Sequence, residues 1–108
     1  MPIFRLKPYL KGIREMGIDE AGMAKVELEI VANPNHPMIN GLRGVRKARI
    51  SRPGTGKRGG GRVIYYVSIG ADSFYMMMAY AKNQQEDLST EQRRGILDVL
   101  ESIKKVRG

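Results

Sequence analysis

The sequence predicts a single α+β domain over residues 1–108, with two N-terminal helices and one C-terminal helix packed on a small twisted antiparallel sheet. Three observations predict this class. The centre of the chain alternates polar and apolar residues with the period of a strand, the C-terminal segment is a capped amphipathic helix, and 108 residues is an ordinary domain length. We expect the helices to gather on one face of the sheet and to leave the other face for function.

The first third of the chain predicts two helices. Residues 3–6 are typical of a short strand, and residues 8–16 predict a first helix. A second helix is expected over residues 19–32, because Asp19 is a good N-cap and apolar residues follow at helical spacing. The segment NPNHPMING after it contains two prolines and is expected to be a loop.

Three central segments predict an antiparallel meander. They are VRKARIS (45–51), RVIYYVSI (62–69) and FYMMMAYAK (74–82). In the first, alternation places Lys47 and Arg49 on the face opposite Arg46. In the second, it groups Arg62 with Tyr66. The methionine run within the third segment is interpreted as core filling against a helix.

The last helix is marked by its start and by its apolar stripe. Ser89 and Gln92 have the spacing of a capping box. Five apolar residues then form one stripe, and basic residues at the end of the helix suit its dipole. The stripe consists of Ile96, Leu97, Val99, Leu100 and Ile103, and the basic residues are Lys104, Lys105 and Arg107.

Composition excludes several classes of site. The chain has no cysteine, so it has neither disulfides nor a thiolate zinc site. Its one histidine, His36, excludes a two-histidine acid/base pair within the chain and lies in the predicted loop. No apolar stretch approaches the length of a membrane span. We expect a soluble, cytoplasmic protein that needs no metal and no cofactor.

The positive charge is concentrated in the predicted meander. The segment 41–70 contains eight Lys and Arg residues and no Asp or Glu, whereas the remainder carries 11 basic and 11 acidic residues. This segment therefore accounts for the whole formal charge of +8. Because its cations alternate with apolar residues, it is not a disordered basic tail, and a polyanion such as nucleic acid is the expected partner.

A glycine-rich loop, PGTGKRGGGR (53–62), contains the spacing GxGxxG of dinucleotide-binding loops. Such a loop binds phosphate only where a helix begins in it, because the helix N-terminus supplies the free N–H groups. A predicted strand follows here instead. The loop is therefore interpreted as a connection between two strands whose cations remain available to phosphates.

The cations of the meander suggest a chemistry. Lys47, Arg49 and Arg62 on neighbouring strands would bind phosphates and would stabilise the extra charge formed when an RNA 2′-OH attacks its own phosphate. A lysine among cations has a lowered pKa, so Lys47 is a candidate base. Tyr65, Tyr66 and Tyr80 could stack on bases or donate a proton. These features leave binding and ribonuclease activity both open.

The motifs from residue 41 onwards resemble the RelE/HigB branch of the RelE/ParE toxin superfamily. The matching runs are GLRGVRKARI, the glycine-lysine loop, RVIYYV, and FYMMMAYAKNQQEDLST opening the last helix. The N-terminal helices match only in outline. The resemblance implies a RelE-like microbial RNase fold and a ribosome-dependent, metal-free endoribonuclease acting on mRNA, inhibited by a cognate antitoxin.

The resemblance also implies roles for individual residues. By position, the family's pair of basic strand residues corresponds to Lys47 and Arg49, and its key arginine corresponds to Arg62. The cation that the family carries at the end of a strand corresponds to Lys82. This chain has Leu88 where some members carry a tyrosine, so the acid is unassigned, with Tyr80 and Tyr66 as candidates; alternation does not place Tyr80 unambiguously on the face of Lys47. RNA contacts are expected from Arg43, Arg46, Arg52, Lys57, Arg58 and Tyr66.

Two other functions remain open at this point. One fold hosts several activities in this superfamily, so a ParE-like inhibitor of DNA gyrase is an alternative. A nucleic-acid-binding module without catalysis is another. The dense pairing of Lys and Arg favours RNA, and the expected partners are an antitoxin, the ribosome and mRNA.

Overall fold

The computed structural model describes residues 2–53, 60–70 and 72–107. The elements run in the order strand, two helices, three strands, helix, as the sequence predicts. Their bounds are β1 Ile3–Arg5, α1 Lys7–Glu15, α2 Glu20–Ala32, β2 Arg46–Ile50, β3 Gly61–Ser68, β4 Ser73–Ala81 and α3 Thr90–Arg107. No helix formed by these described residues is both long and apolar enough to cross a membrane.

Two of the predicted helix starts are confirmed by their caps. The Asp19 carboxylate accepts a hydrogen bond from the backbone N–H of Gly22 at 2.8 Å, which caps α2. At α3, the N–H of Gln92 donates to Ser89 Oγ at 3.1 Å, and the N–H of Ser89 donates to Gln92 Oε1 at 2.9 Å. This reciprocal pair is the predicted capping box.

The sheet is mixed, which corrects the expectation of a purely antiparallel sheet. Its strand order is β1-β4-β3-β2. β2 with β3 and β3 with β4 pair antiparallel and form the predicted meander, whereas β1 pairs parallel to β4. β1 can run parallel because it is joined to β4 through the whole chain between them, and only a tight turn forces antiparallel pairing.

The helices cover both faces of the sheet, so the expectation that they gather on one face is wrong. α1 and α2 pack on the face that carries Ala48, Val63 and Met76. α3 packs on the opposite face, over Ile64 and Met77. The physical reason lies in β3 and β4, which are apolar on both sides and therefore need cover on both sides.

An irregularity in β4 increases the apolar surface under α3. The register shifts between Ile64 and Tyr65 of β3, where Ile64 pairs with Met78 and Tyr65 with Met76. Met77 is the extra residue of this bulge. Met77 and Met78 consequently both join the cluster beneath α3, whereas Met76 faces α1. The methionines fill the core on both faces, as predicted.

α1 lies directly against β4, and a glycine permits this close approach. A Cβ atom built on Gly12 would lie 1.8 Å from the carbonyl oxygen of Ala79. No residue with a side chain could occupy this position without moving α1 away from the strand. The contact fixes α1 over the C-terminal half of β4, where β1 no longer pairs.

A buried carboxylate ties β1, α1 and α2 together. Glu27 of α2 accepts two hydrogen bonds from Arg5, at 2.8 and 2.6 Å, and one from the Tyr9 hydroxyl at 2.8 Å. Because Glu27 is almost fully buried, these three donors are what make its burial tolerable. Burial and the hydrogen bond to Glu27 raise the pKa of Tyr9, so this hydroxyl stays protonated.

Candidate nucleic-acid interface on the sheet

The central basic residues meet on one face of the sheet, in register across three strands. Arg49 of β2 pairs with Arg62 of β3, and Arg62 pairs with Tyr80 of β4. Lys47 lies two residues before Arg49 and on the same face. We call these four residues the cationic face. The strand alternation expected for Lys47, Arg49 and Arg62 is confirmed, and Tyr80 is now placed with them.

The cationic face has a buried side and an open side. Arg62 is 6% exposed and Tyr80 is 5% exposed, whereas Lys47 is half-buried and Arg49 is exposed. Arg62 Nη1 donates to the carbonyl oxygen of Gly61 at 3.0 Å, which orients its guanidinium. A substrate would therefore approach over β2, and the arginine of β3 would form the floor.

Tyr80 carries a buried hydroxyl without a hydrogen-bond partner among the residues that the structure describes. Burial raises the pKa of Tyr80, the charge of Asp87 raises it further, and Arg62 lowers it. The hydroxyl is thus protonated at neutral pH and holds a proton that no described group accepts. A buried polar atom of this kind requires an explanation, and a proton donor to a ligand is one.

A second group of residues gathers where β4 ends. The N–H of Lys82 donates to the carbonyl oxygen of Gly60 at 3.1 Å, so Lys82 lies beside the start of β3. Arg52 Nη1 donates to Asn83 Oδ1 at 3.3 Å. Lys82 and Arg52, both predicted site residues, therefore lie together at the end of the sheet where the glycine loop enters.

The glycine loop connects two strands. Gly61 already begins β3, so the helix that a dinucleotide loop needs does not follow. The interpretation as a strand connection is confirmed at this boundary. Lys57 and Arg58, which the sequence assigns to RNA contacts, lie outside the described residues.

Two predicted RNA contacts, Arg46 and Arg43, lie away from the cationic face, and a third, Tyr66, lies farther along β3 on the same side of the sheet. Arg46 is on the opposite side of β2, where its Nη1 donates to the His36 carbonyl oxygen at 2.6 Å and holds the loop before β2. Arg43 is exposed in a turn, with a positive φ of 52°. Tyr66 lies next to this turn, since a Cβ on Gly44 would be 3.7 Å from its ring.

Two charged residues beside these side chains were not predicted. Asp87, just before α3, is close enough to raise the pKa of Tyr80. Lys104 Nζ lies 5.9 Å from the centroid of the Tyr66 ring, a cation–π arrangement, whereas the sequence assigns Lys104 only to the helix dipole. Lys104 follows Leu100 by four residues, so the helical period could have placed it toward the sheet.

The arrangement can bind a phosphodiester and stabilise charge on it. Two arginines and a lysine supply positive charge, and Tyr80 supplies a buried hydroxyl proton. The described residues contain no cluster of three or more His, Asp or Glu side chains placed to hold a metal ion.

Comparisons with known proteins give one family and one fold. The family model described as the RelE toxin of the RelE/RelB toxin-antitoxin system matches residues 1–107. A solved structure of the Escherichia coli toxin RelE, a double arginine-to-alanine mutant in the free state, is similar with a TM-score of 0.51. The match has 11% sequence identity and covers 79% of this chain and 86% of that chain. At this identity the structural likeness concerns the fold.

Proposed function

The chain belongs to the RelE toxin family, and from this premise we propose that it is a ribosome-dependent endoribonuclease that cleaves mRNA and inhibits translation. The observation that carries the proposal is the row Arg49, Arg62 and Tyr80, in register across three strands and joined by Lys47. Positive charge at a phosphodiester together with a buried proton donor is what transesterification of RNA requires.

In the proposed reaction the RNA supplies its own nucleophile. The 2′-hydroxyl attacks the adjacent phosphorus, and we assign the acceptance of its proton to the amine of Lys47. The bond from phosphorus to the 5′-oxygen breaks, and this oxygen takes a proton from Tyr80. The products are a 2′,3′-cyclic phosphate and a free 5′-hydroxyl, so protons and bonds balance without a metal or a cofactor.

The arginines stabilise the transition state in this scheme. Arginine stays charged, so Arg49 and Arg62 cannot exchange protons, but they can donate hydrogen bonds to the phosphoryl oxygens as negative charge grows on them. Arg62 is oriented by Gly61 and buried, which lowers the cost of positioning it. We assign to Lys82 and Arg52 the role of binding the RNA backbone where it leaves the site.

Tyr80 is the better acid of the two tyrosines left open by the sequence. It pairs with Arg62 in the sheet, whereas Tyr66 lies beside Gly44 and under Lys104. Leu88, at the position where some family members carry a tyrosine, is buried in the cluster beneath α3. Tyr66 with Arg43 and Lys104 is assigned to RNA binding.

Two partners follow from the proposal. The ribosome presents the mRNA, and its RNA complements a protein of charge +8. A cognate antitoxin, acidic where it meets the basic surface, keeps the toxin inactive. The ribosome and the antitoxin are both proposed partners.

The test is primer extension on a defined mRNA in a purified translation reaction, with and without ribosomes. We expect ribosome-dependent cuts that fall by about 100-fold or more in Arg62→Ala, the loss typical of removing one group that stabilises transition-state charge. Arg94→Ala, an exposed arginine of α3, is the matched control and should cleave normally. Because Arg62 is buried, the exposed Arg49 is replaced as well, in Arg49→Ala. Circular dichroism of each variant then checks that the loss of cleavage does not come from unfolding.

Intact mRNA from a folded sample with ribosomes present contradicts the nuclease proposal. Inhibition of gyrase supercoiling by the same sample would then establish the ParE-like alternative. RNA binding without cleavage and without gyrase inhibition would establish a binding module.

A further inference from the structure

A small open cavity lies apart from the cationic face, where the end of β3 meets the end of α3. Its volume is about 310 Å³. Tyr66 of β3 and Ile103 of α3 line it, and so do the exposed residues Ile69 and Gly70, into which β3 continues. A cavity of this size is at the lower end of those that hold small ligands, and it accommodates one planar ring system such as a nucleobase.

The Tyr66 ring forms a wall of this cavity and is held in place by the turn before β2. A Cβ built on Gly44 would lie 3.7 Å from the ring, and Gly44 has a φ of 99° that residues with a side chain rarely adopt. The turn therefore lies directly against the ring. Tyr66 is nevertheless only half-buried, because the cavity leaves part of the ring accessible. An aromatic ring that is held in place and accessible is a platform on which an unpaired base stacks.

Ser68 and Ile69 add one polar and one apolar group beside the ring. Ser68 follows Tyr66 by two residues in β3 and so lies on the same face of the strand. Its hydroxyl can donate or accept a hydrogen bond at the edge of a base. Ile69 is 89% exposed, and a base in the cavity would cover part of this apolar side chain.

Lys104 places a positive charge over the same ring. Its Nζ lies 5.9 Å from the centroid of the Tyr66 ring, and its side chain is exposed. Because the ammonium group is carried on a flexible stem, it can leave the ring and bind the phosphate of a nucleotide whose base stacks there. The cavity therefore offers a group for each part of a nucleotide: a ring for the base, a hydroxyl for its edge and a cation for its phosphate.

Basic side chains connect this cavity to the cationic face. Tyr66 follows Arg62 by four residues on the same face of β3, a distance of about 13 Å along a strand. Lys47 pairs with Ile64, which lies between them, and the exposed Arg43 lies in the turn before β2. An RNA strand that follows these cations from Arg62 reaches the cavity with a nucleotide other than the one that is cleaved.

We propose that this cavity binds one unpaired base of the mRNA, in a nucleotide that flanks the cleaved one, and thereby sets a base preference beside the cut. The inference rests on the proposed function, since it takes an mRNA on the cationic face as the ligand. Tyr66 stacks on the base, Ser68 forms a hydrogen bond with its edge, and Lys104 binds its phosphate.

The first test measures base stacking without cleavage. Short single-stranded RNAs that carry the fluorescent base 2-aminopurine at successive positions are titrated with the protein in the absence of ribosomes, and stacking is followed as quenching of the fluorescence. Tyr66→Ala should weaken binding by about tenfold or more and remove the quenching, whereas Tyr66→Phe keeps the ring and should retain both. Phe4→Ala removes a partly exposed ring from β1, at the other side of the sheet, and is the matched control that should bind normally.

A second pair of variants tests the phosphate contact. Lys104→Ala should weaken binding by about three- to fivefold and should lower the salt dependence by about one phosphate contact. Lys105→Ala removes the neighbouring exposed lysine of α3 and should bind as the wild type does. Circular dichroism of each variant checks that the fold is retained.

Sequencing of the cut ends in the ribosomal cleavage reaction separates this inference from the proposed function. Tyr66→Ala should lose the preference for certain bases at one position beside the cut, and Tyr66→Phe should keep it. Quenching that survives in Tyr66→Ala, or an unchanged pattern of cut sites, overturns the base site while leaving the nuclease proposal intact. A uniform loss of cleavage at all sites would assign the cavity to ribosomal RNA and overturn the assignment to mRNA. If the wild-type protein cleaves nothing, the proposed function fails, and the quenching assay still decides whether the cavity binds a base.

Discussion

Three of the four buried tyrosines in the described part of the chain differ in what their hydroxyl groups contact. The Tyr9 hydroxyl donates to Glu27 at 2.8 Å, and the Tyr65 hydroxyl donates to the Pro34 carbonyl oxygen at 2.7 Å. The Tyr80 hydroxyl has no partner within the described ranges, although it is equally removed from solvent. A hydroxyl that stabilises the fold is hydrogen-bonded, so the unpaired Tyr80 hydroxyl supports the role proposed for it above.

At the residue scale we predict that Tyr80→Phe separates activity from stability. Cleavage should fall by about 100-fold or more, the usual contribution of a general acid. The free energy of unfolding should stay unchanged or rise by up to about 1 kcal/mol, because an unpaired buried hydroxyl is removed. Single-turnover cleavage and urea unfolding measure the two effects.

Tyr65→Phe is the matched control for this prediction. It removes a hydroxyl that is hydrogen-bonded and lies on the other face, so it should cleave normally and lose about 1 kcal/mol of stability. Equal losses of cleavage in both variants would contradict the role given to Tyr80.

At the scale of elements, α1 and α3 each contain a glycine in the helix interior, where glycine is unfavourable relative to alanine. Gly12 allows α1 to contact β4, whereas Gly95 faces an open groove between α1 and α3. The two positions have the same low helix propensity and opposite surroundings. Local sequence alone would therefore treat them alike, and only the packing around them distinguishes the two.

Alanine at these two positions should have opposite effects on stability. Gly12→Ala places a methyl group against the backbone of Ala79 and should cost about 2 kcal/mol or more, as overpacking does. Gly95→Ala should stabilise the protein by about 1 kcal/mol through helix propensity. Thermal and urea unfolding of both variants check this. A destabilised Gly95→Ala would show that α3 is packed at that point, which would also count against an open groove.

At the scale of the whole molecule, the buried tyrosines predict how stability changes with pH. Burial raises the pKa of Tyr9, Tyr65 and Tyr80 in the folded protein above the ordinary value of 10.0. The contribution of these hydroxyls to the free energy of unfolding is fully present below the pKa that tyrosine has in the unfolded chain. Above about pH 10 the unfolded chain loses these protons first, so stability falls by up to about 1.4 kcal/mol per pH unit for each tyrosine.

Urea unfolding between about pH 7 and pH 11 measures this dependence. Lysines also titrate in this range, so Tyr9→Phe is compared with the wild type to isolate one tyrosine. The variant should lose stability less steeply above about pH 10. Identical slopes in the two proteins would contradict the prediction for Tyr9.

The sequence by itself determined the elements, the α+β class and the three basic residues of the cationic face. Short-range signals suffice for these, because the cap at Ser89 and the alternation of Lys47 and Arg49 depend on neighbours a few residues apart. The family resemblance carried by the motifs after residue 41 is confirmed by the family match over residues 1–107.

Only the tertiary structure decided what depends on distant parts of the chain. The parallel pairing of β1, the placement of α3 opposite α1, the alignment of Tyr80 with Arg62 and the groove beside Gly95 all bring together residues far apart in sequence. The period of a strand or helix fixes which residues share a face, but not which element covers that face. That choice follows from burying apolar surface on both sides of the sheet at once.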